Sequence, residues 1–183
     1  MTTPEERSRS SARKLIGDVL YLDFDNCLHR CDAYNTAAGS VPSDPSARLF
    51  EFAGELELLL TPYPAIQIVL STSWVEVFGF EVARDSLPMA SLRARVMDAT
   101  FNPDRDLYHV WSQIPRGGQI RRHAKMFGIK RWLALDDVRA GFEGAESRLV
   151  HCQPSVGLGD KDVQARFAER LEWMFGLAPD KGA

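Results

Sequence analysis

Two aspartates separated by one residue, Asp23 and Asp25, have the types and spacing that most directly suggest chemistry. They follow the apolar residues 19–22, which predict a strand buried on both faces, as in a parallel sheet. Such a strand would place both acids at the carboxyl edge of the sheet, where open α/β folds bind ligands. Neighbouring carboxylates repel each other, and a divalent cation such as Mg²⁺ would relieve that repulsion. Alternatively, the two residues only form a turn, in which aspartate is common.

A pair of hydroxyl groups and a second pair of acids follow two later apolar segments. Residues 66–70 predict a strand that ends in Ser71 and Thr72, and residues 132–135 predict one that ends in an acidic pair. Separately, these groups could be a helix cap and a capped turn. Together they match the needs of phosphoryl transfer, which are a nucleophile, a metal, hydrogen-bond donors and a fixed cation. The acidic pair is Asp136 and Asp137.

The fixed cation could come from a basic region between these segments. Residues 107–135 contain no acid. Arg116 stands at the predicted start of a helix, whereas Arg121, Arg122 and Lys125 could alternatively form only a solvated helix face. The basic residues of the region are Arg116, Arg121, Arg122, Lys125, Lys130 and Arg131.

Helices are predicted between the strands, which favours an α/β fold with a mostly parallel sheet. Residues 35–45 are rich in Gly, Ser, Pro and Asp and predict a loop, and Pro45 then opens a helix. Gly128 is expected to end another helix. The predicted helices span residues 45–60, 75–86, 116–127 and 161–175, and two weaker strands span residues 96–100 and 148–152.

Length and composition predict one globular domain. The 183 residues are 45% hydrophobic and 26% charged, with a net charge of −3, so the whole chain does not have the charge of a general nucleic-acid or membrane binder. We expect a disordered tail over residues 1–14, a single domain over residues 15–178, no transmembrane helix and a cytoplasmic location. The cysteines, odd in number and without metal-ligand spacing, suggest free thiols, and a redox role for the two near the leading aspartates stays open. They are Cys27, Cys31 and Cys152.

The order of these motifs resembles the haloacid dehalogenase (HAD) superfamily and, more narrowly, the HAD-type domains of Swiss-army-knife RNA repair proteins. The resemblance covers residues 19–158, and it rests on the order of the motifs because no single one is specific. It implies a Rossmann-like three-layer α/β fold with a mostly parallel sheet. The motifs are LDFDNCLH at residues 22–29, VLSTSW at 69–74, RG at 116–117 before Ile120, WLALDD at 132–137, and Gly157-Leu158.

The resemblance also implies roles for individual residues in a Mg²⁺-dependent phosphatase. Asp23 would be the nucleophile that forms an aspartyl-phosphate, and Asp25 would be the general acid and then the base. The backbone carbonyl of Asp25 would also contact the metal, and Ser71 would donate to a phosphoryl oxygen. The residues expected around Mg²⁺ are Asp23, Asp25, Asp136 and Asp137, and those expected to bind substrate are Ser71, Thr72, Arg116 and Lys125.

Two positions depart from the family pattern. Cys27 stands where the family usually has Thr or Val, a small residue that the position should tolerate. The family's basic residue is usually Lys, whereas Arg116 is the best candidate here, with Arg121 or Lys125 as alternatives.

The short intervals between motifs leave little room for a cap domain over the site. An uncapped site of this superfamily often acts on macromolecules, so phosphorylated RNA or DNA ends are expected substrates. The competing interpretations are a response-regulator receiver domain, whose acids come in a different order, and a HAD-like fold that binds a partner without catalysis.

Overall fold

A parallel five-stranded sheet forms the centre of the computed structural model, which describes residues 17–36 and 39–176. The predicted tail at residues 1–14 lies outside the described residues. The described strands are β1 (Asp18–Leu22), β2 (Ala33–Thr36), β3 (Gly39–Pro42), β4 (Gln67–Leu70), β5 (Val96–Ala99), β6 (Arg131–Asp136) and β7 (Leu149–His151). The described α-helices are α1 (Ala53–Leu60), α2 (Ser73–Phe78), α3 (Phe80–Ser86), α4 (Ala90–Arg95), α5 (Tyr108–Trp111), α6 (Arg116–Phe127) and α7 (Lys161–Phe175).

The central strand of this sheet is β1, because the strand order is β5-β4-β1-β6-β7 and all neighbours are parallel. Leu22 at its end pairs with Leu70 of β4 on one side and Leu135 of β6 on the other. The residues that follow these positions therefore meet at one edge. A receiver domain would have its first strand between its second and third, whereas β1 lies between the second and fourth strands of its sheet.

Helices cover both faces of the sheet, which gives the expected three-layer α/β fold. Side chains of β1 alternate between the faces, as the two-residue period of a strand requires. Leu20 and Leu22 pack in the larger core with residues of α1 and α7, and Val19 and Tyr21 pack in the smaller core with residues of α6. All four β1 side chains are fully buried, which explains the continuous apolar run.

The last helix, α7, has the predicted bounds. Asp160 caps it by accepting a hydrogen bond from the backbone N–H of Asp162 at 2.8 Å. Its buried side chains recur every four residues and face the sheet. They are Val163, Phe167, Leu171 and Phe175. None of the helices in the described parts of the chain is long and apolar enough to cross a membrane.

Between β1 and β4, two predictions are wrong: the loop at residues 35–45 and the helix start at Pro45. Residues 33–42 contain a two-stranded antiparallel hairpin, β2 with β3, rather than a loop, because backbone pairing forms it without a buried apolar pattern. The predicted helix start at Pro45 is instead a series of turns, in which Asp44 accepts the N–H of Ser46 at 2.8 Å. Phe50 has a positive φ of 58° that is incompatible with a helix, so α1 begins only at Ala53.

The helical segment predicted at residues 75–86 is two helices. Gly79 has a φ of 84° and separates α2 from α3. The first of the two, α2, starts at Ser73, two residues earlier than the predicted segment.

Candidate active site

Three carboxylates lie together at the carboxyl edge of the sheet. Asp23 follows β1, Asp136 ends β6, and Asp137 comes next, so the pairing of β1 with β6 brings them together. One oxygen of each lies within 4.8 Å of the others. Asp23 and Asp136 are buried, and Asp137 is partly exposed. This arrangement is an oxygen-only ligand set of the kind that Mg²⁺ prefers.

The electrostatics of the cluster call for a counter-charge. Burial raises the pKa of Asp23 to about 6, against the opposing effect of Arg116. Burial and the neighbouring Asp23 raise the pKa of Asp136 well above its usual range, and burial also raises the pKa of Asp137. Asp136 Oδ2 is buried and accepts no hydrogen bond from the described residues. A divalent cation would satisfy this oxygen and neutralise the cluster, so the residues present fit a metal.

Arg116 supplies the cation beside these acids. Its Nε lies 3.4 Å from Asp136 Oδ2 and its Nη2 lies 3.8 Å from Asp23 Oδ2, and its Nη1 donates to the backbone carbonyl of Ser71. Burial disfavours the charge, but the surrounding carboxylates outweigh that effect and raise the pKa of Arg116. The guanidinium is therefore a fixed positive charge between β1, β4 and β6.

The two hydroxyl side chains that follow β4, those of Ser71 and Thr72, differ in their hydrogen bonding. Ser71 is fully buried, and its Oγ makes no hydrogen bond within the described parts of the chain. An unpartnered buried hydroxyl costs about 1–3 kcal/mol, so its presence suggests that a ligand completes it. Thr72 caps α2, because its Oγ1 accepts the backbone N–H of Trp74 at 3.4 Å.

Asp25 stands apart from the acid cluster and is oriented by two N–H donors. Its Oδ1 lies 2.9 Å from His29 Nε2 and 3.2 Å from Trp74 Nε1. The side chain is 20% exposed, so it can reach a substrate. The sequence motifs contain both His29 and Trp74, but no role was predicted for either. The four-residue spacing of Asp25 and His29 was the one available signal.

Asn26 is a third residue whose role at the site was not predicted. It has a positive φ of 57°, a conformation that asparagine tolerates better than most residues. Its Nδ2 donates to Asp137 Oδ2 at 3.1 Å and to Asp32 Oδ1 at 2.9 Å. Asn26 therefore ties the loop after β1 to the outer member of the acid cluster.

The structure does not bring Lys125 to this site. It is exposed in the last turn of α6, nine residues after Arg116, which is about 13 Å further along the helix axis. Arg121 is also exposed and donates to the backbone carbonyl of Glu143 at 3.1 Å. The acid-free region of the sequence is not one basic surface either. Arg122 pairs with Asp106, and Arg131 pairs with Asp18 at the opposite edge of the sheet.

The cysteines near the site are buried. Burial and the adjacent Cys152 thiol raise the pKa of Cys27 well above its usual range. Reactive cysteines have a lowered pKa and some exposure, so Cys27 has the properties of a packing residue.

Comparison with known proteins identifies the family. Residues 19–163 match the family described as the HAD domain in Swiss Army Knife RNA repair proteins, and the chain belongs to this family. Membership implies a phosphohydrolase-type function, for which Mg²⁺ is the typical metal. Comparisons with curated proteins and with solved structures gave no significant match.

Proposed function

We propose that this protein is a Mg²⁺-dependent phosphomonoesterase that acts through an aspartyl-phosphate intermediate. The observation that carries the proposal is the set of three converging carboxylates beside a buried arginine and an unpartnered serine hydroxyl. Such a site offers a nucleophile, a metal-ligand set, a fixed cation and a donor within one cluster.

In the proposed reaction, a carboxylate oxygen of Asp23 attacks the phosphorus atom and the bond to the ester oxygen breaks. Asp25 gives its proton to the departing oxygen, which leaves as an alcohol. Asp25 then takes a proton from a water that attacks the phosphorus of the aspartyl-phosphate. Inorganic phosphate leaves, and Asp23 returns to its free carboxylate form.

The remaining residues hold the phosphoryl group in place. Arg116 neutralises charge on the phosphoryl oxygens, and Ser71 Oγ donates to one of them. Asp23, Asp136 and Asp137 would hold Mg²⁺, with the backbone carbonyl of Asp25 as a further ligand. When bound, Mg²⁺ would neutralise charge on the substrate and the carboxylates.

We propose the phosphorylated end of a nucleic acid as the substrate. The family's description names RNA repair proteins, and this description is what suggests a nucleic-acid substrate. Among the described residues, the segment between β1 and α1 adds only the short hairpin β2–β3 and turns, which favours a substrate as large as a nucleic-acid end.

Phosphate release from three substrates tests the proposal. The purified protein is incubated with p-nitrophenyl phosphate, glycerol 2-phosphate and a 3′-phosphorylated oligonucleotide, in Mg²⁺ or in EDTA. We expect turnover with Mg²⁺, highest kcat/KM for the oligonucleotide, and loss of turnover in EDTA. Asp136→Asn should mimic removal of the metal.

Other outcomes separate the parts of the proposal. Turnover of small esters but not of the oligonucleotide would reject the nucleic-acid substrate alone. Full activity in EDTA would reject the requirement for a metal ion. No turnover of any phosphate ester would favour a binding module without catalysis.

A further inference from the structure

We propose that His29 and Trp74 are positioning residues that fix one oxygen of Asp25 and leave the other, Oδ2, to transfer the proton. This inference rests on the proposed function, since it concerns the general acid and base. Both donors converge on the same atom: His29 Nε2 lies 2.9 Å and Trp74 Nε1 lies 3.2 Å from Asp25 Oδ1. Two N–H donors on one carboxylate oxygen prevent the carboxylate from rotating.

The second nitrogen of His29 defines its tautomer. Nδ1 accepts the backbone N–H of Phe50 at 3.4 Å, so it carries no proton. With Nδ1 as an acceptor, the donor nitrogen of His29 is Nε2, and its N–H points at Asp25 Oδ1.

Aromatic packing holds both donors rigidly. His29 is fully buried and Trp74 is 4% exposed. The ring of Phe50 packs edge-on against both, with centroids 5.4 Å from His29 and 5.3 Å from Trp74. Phe50 therefore contacts His29 twice, through its ring and through its backbone N–H.

Loss of a donor to Asp25 should affect the kinetics differently from loss of a packing contact. Loss of a donor frees the Asp25 carboxylate, which slows the steps that need its proton and leaves substrate binding unchanged. The first turnover of an alkyl phosphate needs protonation of the departing oxygen, whereas p-nitrophenolate departs without it. A packing defect would instead affect both substrates equally.

Four variants test the role of the donors. His29→Phe and Trp74→Phe remove one donor each and keep an aromatic ring, and His29→Gln can keep a donor near Nε2 and an acceptor for Phe50. Phe78→Leu is the packing control, since Phe78 contacts the Trp74 ring at 5.4 Å between centroids and does not contact Asp25.

First-turnover rates are measured over a range of glycerol 2-phosphate and p-nitrophenyl phosphate concentrations, which gives the rate of phosphoryl transfer and the substrate Kd. We expect His29→Phe to slow the first turnover of glycerol 2-phosphate about tenfold to a hundredfold, with the first-turnover rate of p-nitrophenyl phosphate and both Kd values near wild type. Trp74→Phe should show the same pattern more weakly. His29→Gln should recover much of the loss, and Phe78→Leu should show no difference between the two substrates.

A second measurement does not depend on turnover. Two-bond ¹H–¹⁵N correlation spectra of the folded, metal-free protein should show His29 as the neutral Nε2–H tautomer. The Trp74 indole N–H resonance should move in Asp25→Asn.

Equal losses for both substrates in His29→Phe, or an Nδ1–H tautomer, would overturn the positioning role while wild-type activity still supports the phosphatase. A wild-type protein that hydrolyses neither ester would overturn the proposed function, and the positioning role with it.

Discussion

At the scale of single residues, the surroundings of Asp23 and Asp25 suit them to different tasks. Asp23 is buried beside Arg116 and two other acids, and one of its oxygens accepts the N–H of Phe24 at 2.8 Å. The Asp25 side chain is 20% exposed, and its Oδ1 is held by the ring N–H groups of His29 and Trp74. A confined carboxylate beside a cation suits a nucleophile, and a more exposed, oriented carboxylate suits proton transfer.

Replacement of Arg116 by alanine should reduce kcat/KM on the order of a hundredfold or more, because the phosphoryl oxygens lose their fixed cation. Steady-state kinetics with Mg²⁺ and p-nitrophenyl phosphate measure the loss. Lys125→Ala is the matched control and should be near wild type, since Lys125 is exposed in the last turn of α6. An inactive Lys125→Ala with an active Arg116→Ala would show that the wrong cation was assigned.

The acids of this site could be predicted from the sequence, because each follows an apolar run and parallel strands end at one edge. The orientation of those acids could not. It depends on Asn26, whose left-handed conformation carries no sequence pattern, and on His29, whose partner Phe50 lies 21 residues away. Contacts of this kind form only when the turns between them fold.

At the scale of elements, the position of Arg116 depends on how α6 begins. Gly117 donates its N–H to the carbonyl of Ala140 at 3.0 Å, so the helix start lies directly against the loop after β6. A Cβ at Gly117 would lie 2.3 Å from the backbone carbon of Gly141. The site is thus built by backbone contact between two elements that each carry part of it.

Gly117→Ala should therefore displace the start of α6 and impair both stability and activity. We expect a loss of about 1–3 kcal/mol in the free energy of unfolding and a lower kcat/KM, measured by urea unfolding and phosphatase assay. Gly54→Ala is the control, because Gly54 also lies in a helix and a Cβ there meets nothing within 4 Å. It should be neutral or stabilise the protein by about 0.5–1 kcal/mol. Equal behaviour of the two variants would contradict the close contact.

Elements with a regular apolar period could be predicted, whereas the hairpin and the short helices α4 and α5, each with a single buried side chain, could not. The strands around the site and α7 have clear apolar periods. The hairpin β2–β3 has mostly exposed side chains, so its pairing leaves no pattern in the sequence. The segment before α1 has helix-start residues, but its turns are set by long-range contacts such as the bond from Phe50 to His29.

At the scale of the whole molecule, the acid cluster opposes folding when no metal is bound. The pKa of Asp23 is raised from 3.8 to about 6 in the folded state, so the folded protein binds the Asp23 proton more tightly than the unfolded chain does. This preference adds to the free energy of unfolding at low pH and is lost as the pH rises through 6. A shift of this size corresponds to roughly 3 kcal/mol. Bound Mg²⁺ should reverse the effect, since it requires the ionised carboxylates.

In EDTA, we expect Tm to fall between pH 5 and pH 7.5, and Mg²⁺ should raise Tm far more at pH 7.5 than at pH 5. Differential scanning calorimetry at both pH values measures this. Asp136→Asn removes one charge from the cluster. In this variant, both the fall of Tm with pH in EDTA and the rise of Tm on addition of Mg²⁺ should be smaller than in the wild type. A Tm in EDTA that rises over this range, or an equal Mg²⁺ effect at both pH values, would argue against the cluster as a metal site.

The proposed reaction requires that Asp23 becomes covalently phosphorylated. Its most direct test is intact-mass spectrometry of Asp25→Asn and Asp23→Asn after brief exposure to p-nitrophenyl phosphate and Mg²⁺. Asp25→Asn can form the aspartyl-phosphate but hydrolyses it slowly, so it should accumulate a protein that is heavier by one phosphoryl group. Asp23→Asn should show no such adduct. A phosphoryl adduct on Asp23→Asn would contradict the account.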